Sequence, residues 1–174
     1  DDIASDGLRK LYEKLERFDD MLRFTERLID NADDADTRAE LRLSCAKLCI
    51  DKLDAPSEGI EHLNAIMDEV PTHPGAVALL AQMLEKEGRD DELAEFLQRQ
   101  IELSREEGDQ DKELSNRVKL AELYESRLND PEKAIEGYLA VLETDGGFRP
   151  ALAALGRLYE GQGETAKAAE THER

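Results

Sequence analysis

The sequence predicts an all-α fold in which antiparallel helical hairpins stack into an α-solenoid. Apolar residues recur at helical spacing on both sides of short corners, so successive helices must fold back to bury their apolar faces. The composition agrees, because 37% of the 174 residues are charged and only 5% are aromatic. No stretch alternates between apolar and polar residues as a half-buried strand would. Internal repetition is the third observation, and it sets the order of the elements.

The hairpin pattern is clearest between residues 123 and 138. Leu120 and Tyr124 lie on the apolar stripe of one helix, and the stripe resumes on a second helix after a tight corner. Pro131 stands where a helix tolerates proline best, at its first residue. Asp130, directly before it, is the predicted N-cap. Two amphipathic helices joined this closely form a hairpin.

The chain repeats itself with a period of about 75 residues. Residues 12–29 match residues 84–101 at a shift of 72, and residues 42–61 match residues 117–136 at a shift of 75. A repeat of this length contains two hairpins, and a third copy begins near residue 160. The identical pairs of the second match are Arg42 and Arg117, Ala46 and Ala121, Leu48 and Leu123, Leu53 and Leu128, Pro56 and Pro131, Ile60 and Ile135, and Glu61 and Glu136.

Helix-capping residues and the helix breakers Gly and Pro divide the repeats into helices. The predicted helices span residues 3–15, 19–31, 37–53, 57–69, 75–87, 90–106, 112–128, 131–144, 149–160 and 164–174. They pair into five hairpins within one solenoid segment, over residues 1–33, 34–71, 72–108, 109–146 and 147–174, and the last hairpin is incomplete.

The charge balance argues against several classes of partner. A formal net charge of -19 is unsuited to nucleic acid, because phosphate recognition depends on Lys and Arg, and it is equally unsuited to an anionic membrane surface. No apolar run has the length of a membrane span. The chain begins at Asp1 without Met, so the sequence predicts a fragment of a longer protein. Two reduced thiols favour a cytoplasmic location.

Candidate catalytic and metal sites are weak. Cys45 and Cys49 share one helix face, but no second Cys or His pair accompanies them, so they are predicted to be core residues. Glu58 and His62 lie one turn apart and are interpreted as a surface pair. No phosphate-binding or nucleophile motif is present in the sequence. We therefore expect no enzyme, no metal and no cofactor.

Small residues at fixed places carry a family resemblance. Ala121 precedes Tyr124 by three residues, as Ala46 precedes Cys49, and Ala134 follows the corner. A small residue lets the paired helices approach, and the residue one turn later fills the space between them. This resembles the tetratricopeptide repeat in tandem proteins of bacterial type. The resemblance implies a right-handed superhelix whose concave face holds a peptide or helix of a partner.

The concave face follows from placing Tyr124 against the second helix of its hairpin. The predicted partner-binding residues are Lys47, Ile50, Gln82, Glu85, Glu122, Glu125 and Arg157. Some members of the family grip a C-terminal carboxylate with basic and amide groups, but the acidic residues of this set would repel one. A basic or polar segment with one or two apolar anchors fits better.

Two function classes remain at this point. The first is a protein-interaction scaffold within a larger protein, with a protein or peptide partner. The alternative is a regulatory or spacer segment of a multidomain enzyme whose catalytic domain lies outside the chain. The incomplete fifth hairpin also predicts weak end-to-end self-association through an apolar end.

Overall fold

The computed structural model describes residues 2–173, and for residues 2–4, 6 and 172 it describes the backbone alone. Within this range the chain forms ten α-helices and no strand, which confirms the all-α prediction. Each predicted helix is present, with ends that differ by two residues or fewer. The helices are α1 (Asp2–Lys14), α2 (Phe18–Asp30), α3 (Ala35–Asp51), α4 (Pro56–Glu69), α5 (Pro74–Lys86), α6 (Asp90–Glu107), α7 (Gln110–Ser126), α8 (Pro131–Thr144), α9 (Arg149–Gly161) and α10 (Thr165–Glu173).

Two compact units share these helices. Unit 1 is Asp1–Gly88 and unit 2 is Arg89–Arg174. The boundary falls between α5 and α6, inside the predicted third hairpin of residues 72–108. The predicted hairpin boundaries remain predictions.

In unit 1, each helix from α1 to α4 packs against the helix that follows it. Short connections make consecutive helices antiparallel, so each amphipathic helix buries its apolar face against its neighbours. The buried cluster joins α2 to α3, and its fully or nearly buried members are Leu22, Ile29, Cys45, Leu48 and Cys49. The prediction that both cysteines are core residues is confirmed, since each is free, buried and 0% exposed.

Unit 2 repeats this arrangement with α6 to α10, and again each helix packs against the next. Its buried side chains lie between neighbouring helices and include Leu97, Ala121, Tyr124, Ala134, Tyr138, Val141 and Leu155.

Small residues set the distance between paired helices. A Cβ added at Gly59 of α4 would lie 3.2 Å from the carbonyl oxygen of Ala46 in α3. In unit 2, a Cβ added at Gly137 of α8 would lie 2.9 Å from the Cβ of Ala121 in α7. The close approach expected at the small-residue positions is therefore present in both units.

The two corners that contain proline have the same backbone geometry. Asp54 and Asn129, which correspond in the repeat, both have φ of 51°. This left-handed conformation is uncommon outside glycine, but Asp and Asn tolerate it better than most residues. Pro56 and Pro131 then begin α4 and α8. Asp130 caps α8 as predicted, because its Oδ1 accepts a hydrogen bond from the Lys133 backbone N–H at 3.1 Å.

Candidate interaction surfaces

Three helices of unit 2 meet at the carboxylate of Glu125, which belongs to α7. Its Oε2 accepts a hydrogen bond from the Tyr138 hydroxyl of α8 at 2.7 Å. Its Oε1 accepts a hydrogen bond from Nη2 of Arg157 in α9 at 3.1 Å. Two of the predicted partner-binding residues, Glu125 and Arg157, are thus in direct contact and come from successive first helices of hairpins.

Burial keeps the Tyr138 phenol protonated. Burial raises the pKa of the Tyr138 phenol, and the hydrogen bond to Glu125 raises it further. The hydroxyl therefore remains a donor at neutral pH. Glu125 keeps 23% of its side chain exposed, whereas Arg157 keeps 63%. The cluster thus presents a positioned ion pair to solvent, with exposed Glu122 one turn away on α7.

The predicted residues of unit 1 lie on α3 and α5. Lys47 of α3 is exposed, as are Gln82 and Glu85 of α5. Ile50 is only half-buried, and its Cγ1 would lie 2.8 Å from a Cβ added at Gly59. Ile50 therefore fills space between α3 and α4 and offers only part of its side chain to a partner.

His73, at the start of α5, contacts Glu40 of α3. This contact was not identified from the sequence. His73 is the N-cap of α5, and its Nδ1 accepts a hydrogen bond from the Ala76 backbone N–H at 3.2 Å. Because Nδ1 accepts, Nε2 carries the ring proton and can donate to Oε1 of Glu40, 3.2 Å away. Helices α3 and α5 are therefore neighbours near the start of α5.

We use the name first-helix surface for Glu122, Glu125 and Arg157 on α7 and α9 of unit 2, which are three of the seven residues that the sequence singled out. The other four, Lys47, Ile50, Gln82 and Glu85, lie on α3 and α5 of unit 1.

Unit 1 also holds an open cleft of about 450 Å³ between α2 and the corner that joins α3 to α4. Apolar side chains of Leu22, Leu53 and Ala55 line it, together with the carboxylates of Glu26 and Glu58.

The interpretation of Glu58 and His62 as a surface pair is wrong for His62, because this side chain is largely buried. Its side chain is only 12% exposed, and its Nε2 lies 3.9 Å from Oε1 of Glu26 in α2. Burial lowers the pKa of the imidazole, which the nearby Glu26 carboxylate partly offsets. The ring is therefore a largely buried, neutral group at neutral pH.

Neither cysteine is poised for chemistry. Burial raises the pKa of the Cys45 thiol to about 12 and that of the Cys49 thiol to about 11. The thiolate is the reactive form, so both groups are inert in the folded chain. Among the described residues, no group of three or more His, Cys, Asp or Glu side chains is arranged to hold a metal ion.

The stacked hairpins, with small residues at each close approach, define a helical-hairpin repeat protein. Residues 76–111 and 151–174 match the family model of the tetratricopeptide repeat. These two segments therefore match the tetratricopeptide repeat, and the resemblance identified in the sequence is confirmed for them. The sequence matches no curated protein.

Solved structures of MamA share this fold. One crystal structure of MamA aligns over 95% of this chain and 90% of its own length, with 22% identity and a TM-score of 0.57. A second covers 98% and 87%, with 23% identity and a TM-score of 0.56. A structure of MamA AMB-1 covers 99% and 90%, with 19% identity and a TM-score of 0.58. At these identities the likeness establishes the fold, a solenoid of tetratricopeptide-like hairpins.

None of the described helices has both the length and the apolar character needed to cross a bilayer.

Proposed function

We propose that the chain is a protein-interaction scaffold that binds a peptide or helix of a partner protein through the first-helix surface. The observation that carries the proposal is the contact between Glu125 and Arg157. It joins side chains from two successive hairpins, so the surface in unit 2 extends across repeats. The Tyr138 hydroxyl donates a hydrogen bond to the Glu125 carboxylate and orients it, so the ion pair is ordered before a partner binds.

The charges on the first-helix surface suit a basic or polar segment. Glu122 is exposed and Glu125 is partly exposed, within one turn of each other on α7. Acidic groups favour Lys and Arg on a partner, mainly through the rate and selectivity of association.

Capture from an extract of the source cells tests the proposal. The immobilised chain is compared with two variants, Glu122→Lys on the first-helix surface and Glu136→Lys on α8. Both residues are exposed, and both substitutions change the charge equally. A protein that binds the wild-type chain and Glu136→Lys, and is lost from Glu122→Lys, supports the proposal.

Two other results count against it. Proteins retained equally by all three chains would place the binding site elsewhere on the molecule. A chain that reproducibly captures no protein would contradict a scaffold function and favour a spacer segment.

A further inference from the structure

We propose that the chain binds a second copy of itself, with α1 of one molecule packed on the exposed face of α8 in the next. The contact joins two surfaces of different character, one apolar and basic and the other apolar and acidic. Neither surface contains a residue of the first-helix surface, so the test does not depend on the function proposed for that surface.

Two apolar strips are exposed on these helices. Among the described residues, the large apolar side chains that face solvent are Leu11, Leu15 and Leu139, with exposed fractions of 50%, 56% and 43%. A single exposed leucine is ordinary, but each of these groups continues into a half-buried apolar neighbour one turn earlier. That neighbour is Leu8 on α1 and Ile135 on α8. We call these two groups the α1 strip and the α8 strip.

The internal repeat shows that the α1 strip occupies a helix-packing position. The shift of 72 residues places Leu11 at the position of Met83 in α5. Met83 is 2% exposed, and α5 packs against the helix before it, α4. Among the described residues α1 has no such preceding neighbour, and Leu11 stays half exposed. This face of α1 is therefore suited to a further helix.

The α8 strip is not required by the hairpin itself. The shift of 75 residues places Leu139 at the position of Asn64, which is exposed on α4. A polar residue therefore serves the fold equally well at this position. Ile60, the counterpart of Ile135, is 1% exposed, whereas Ile135 is only half-buried. Unit 2 thus presents an apolar strip where unit 1 has none.

Charges of opposite sign flank the two strips. Two lysines lie beside the α1 strip, and three glutamates lie along one side of the α8 strip. These residues are Lys10 and Lys14 on α1, and Glu132, Glu136 and Glu143 on α8. All five are exposed, and within the part of the chain that the structure describes none of them forms an ion pair. Like charges would oppose a contact of α1 with α1 or of α8 with α8, so the mixed contact is favoured.

The contact should be weak and should extend beyond a dimer. Two single-helix faces bury less than the roughly 1,200 Å² that stable complexes reach, and exposed charge pairs are screened by salt. Because the two surfaces differ, the contact is heterologous. Each copy in a dimer therefore keeps one free surface, to which a further copy can bind.

Sedimentation velocity of the chain with two strip variants tests the proposal. Leu11→Gln with Leu15→Gln removes the α1 strip, and Leu139→Asn gives α8 the residue that α4 has at this position. Each variant alone should associate about tenfold more weakly than the wild-type chain, because apolar area is lost from the contact. An equimolar mixture should form a dimer and nothing larger, since the intact α8 strip of one variant meets the intact α1 strip of the other.

A second pair of variants tests the charges. Lys10→Glu with Lys14→Glu keeps the α1 leucines and should weaken association by about tenfold, because the α8 glutamates then face like charges. Lys86→Glu with Lys119→Glu is the control, since both lysines are exposed and the net charge changes equally. It should associate like the wild-type chain.

Three results would overturn the inference. Association of Leu139→Asn as strong as that of the wild-type chain would show that α1 pairs with another surface, such as a second α1. A mixture of the two strip variants that stays monomeric would exclude the heterologous contact, and so would a wild-type chain that stays monomeric at the highest concentration. If a leucine variant does not fold, as circular dichroism reports, the lysine variants decide the question.

Discussion

The hydroxyl of Tyr138 and the carboxylate of Glu125 are joined by a hydrogen bond of 2.7 Å that links α8 to α7. Tyr138 is 3% exposed, so this hydroxyl has little access to water. The bond therefore contributes to stability and also orients the carboxylate that meets Arg157. A polar contact at the base of the first-helix surface thus connects the core of unit 2 to its candidate binding residues.

Tyr138→Phe should destabilise the chain by about 1–2 kcal/mol, because it removes a buried donor to a charged group and keeps the ring. Urea unfolding followed by circular dichroism measures the change in free energy of unfolding. Tyr159→Phe is the matched control, since Tyr159 is less deeply buried and its ring contact with Lys167 survives the substitution. Equal losses in both variants would mean that the bond to Glu125 contributes no specific stability.

Gly137→Ala should destabilise unit 2. The added Cβ would lie 2.9 Å from the Cβ of Ala121, which cannot move without shifting α7. Overpacking of this kind costs about 1–3 kcal/mol, and the better helix preference of alanine offsets roughly 1 kcal/mol.

Gly161→Ala is the control for this prediction, because nothing lies within 4 Å of a Cβ added there. It should be neutral or slightly stabilising. The two variants are compared by thermal unfolding, and a melting temperature that rises in both would show that α7 and α8 can separate without cost.

The stability of the chain should depend on pH through His62. Its pKa in the folded chain lies below the ordinary histidine value of 6.5, because burial disfavours the charged imidazolium. The unfolded chain therefore binds more protons in the range between the two pKa values, so stability rises with pH there. Above the unfolded pKa the contribution is complete, and it is lost as the pH falls toward the folded pKa.

His62→Gln should remove this contribution. Urea unfolding of the wild-type chain and the variant at pH 5, 6 and 7.5 measures the difference in slope, while the carboxylates common to both cancel. Identical pH dependence of the two chains would contradict the burial of a neutral imidazole.

The isolated chain should also associate weakly with itself, as an exposed apolar surface favours. Leu11 lies in the last turn of α1 and Leu15 directly follows this helix, and the two side chains are 50% and 56% exposed. Sedimentation velocity at increasing concentration measures the association, and Leu11→Gln with Leu15→Gln should weaken it. A constant monomer mass at the highest concentration would contradict this prediction.

The helices could be predicted from the sequence because their signals are local. Pro131 with Asp130, and the repeated apolar stripes, determine where α8 begins and which face it buries. The 75-residue repeat also showed that Ala46 and Ala121 occupy equivalent positions. These features depend on spacing along one helix or one corner.

The polar contacts could not be predicted, because they depend on side-chain directions across helices that are distant in sequence. The sequence predicted Glu125 only as a partner-binding residue, but its carboxylate also accepts hydrogen bonds from Tyr138 and Arg157. His62 looked like half of a surface pair, yet its ring is largely buried beside Glu26.

The contacts of Glu125 determine which substitution tests the binding surface. Reversing its charge would leave the Tyr138 hydroxyl without its acceptor and place a cation beside Arg157, so folding and binding would change together. The Glu122 side chain is exposed. The Ser126 hydroxyl donates a hydrogen bond to the backbone carbonyl of Glu122, which a substitution of the side chain leaves in place. Glu122→Lys therefore changes surface charge alone, and exposed substitutions usually cost less than about 0.5 kcal/mol.

The affinity of a captured partner for Glu122→Lys, measured by isothermal titration calorimetry beside the wild-type chain and Glu136→Lys, tests the central claim most directly. The account predicts that Glu122→Lys weakens binding by about fivefold or more, as reversal of a charge at an electrostatically complementary interface does. Glu136→Lys should bind like the wild-type chain, and all three should have nearly the same melting temperature. Unchanged affinity of Glu122→Lys would contradict binding through the first-helix surface.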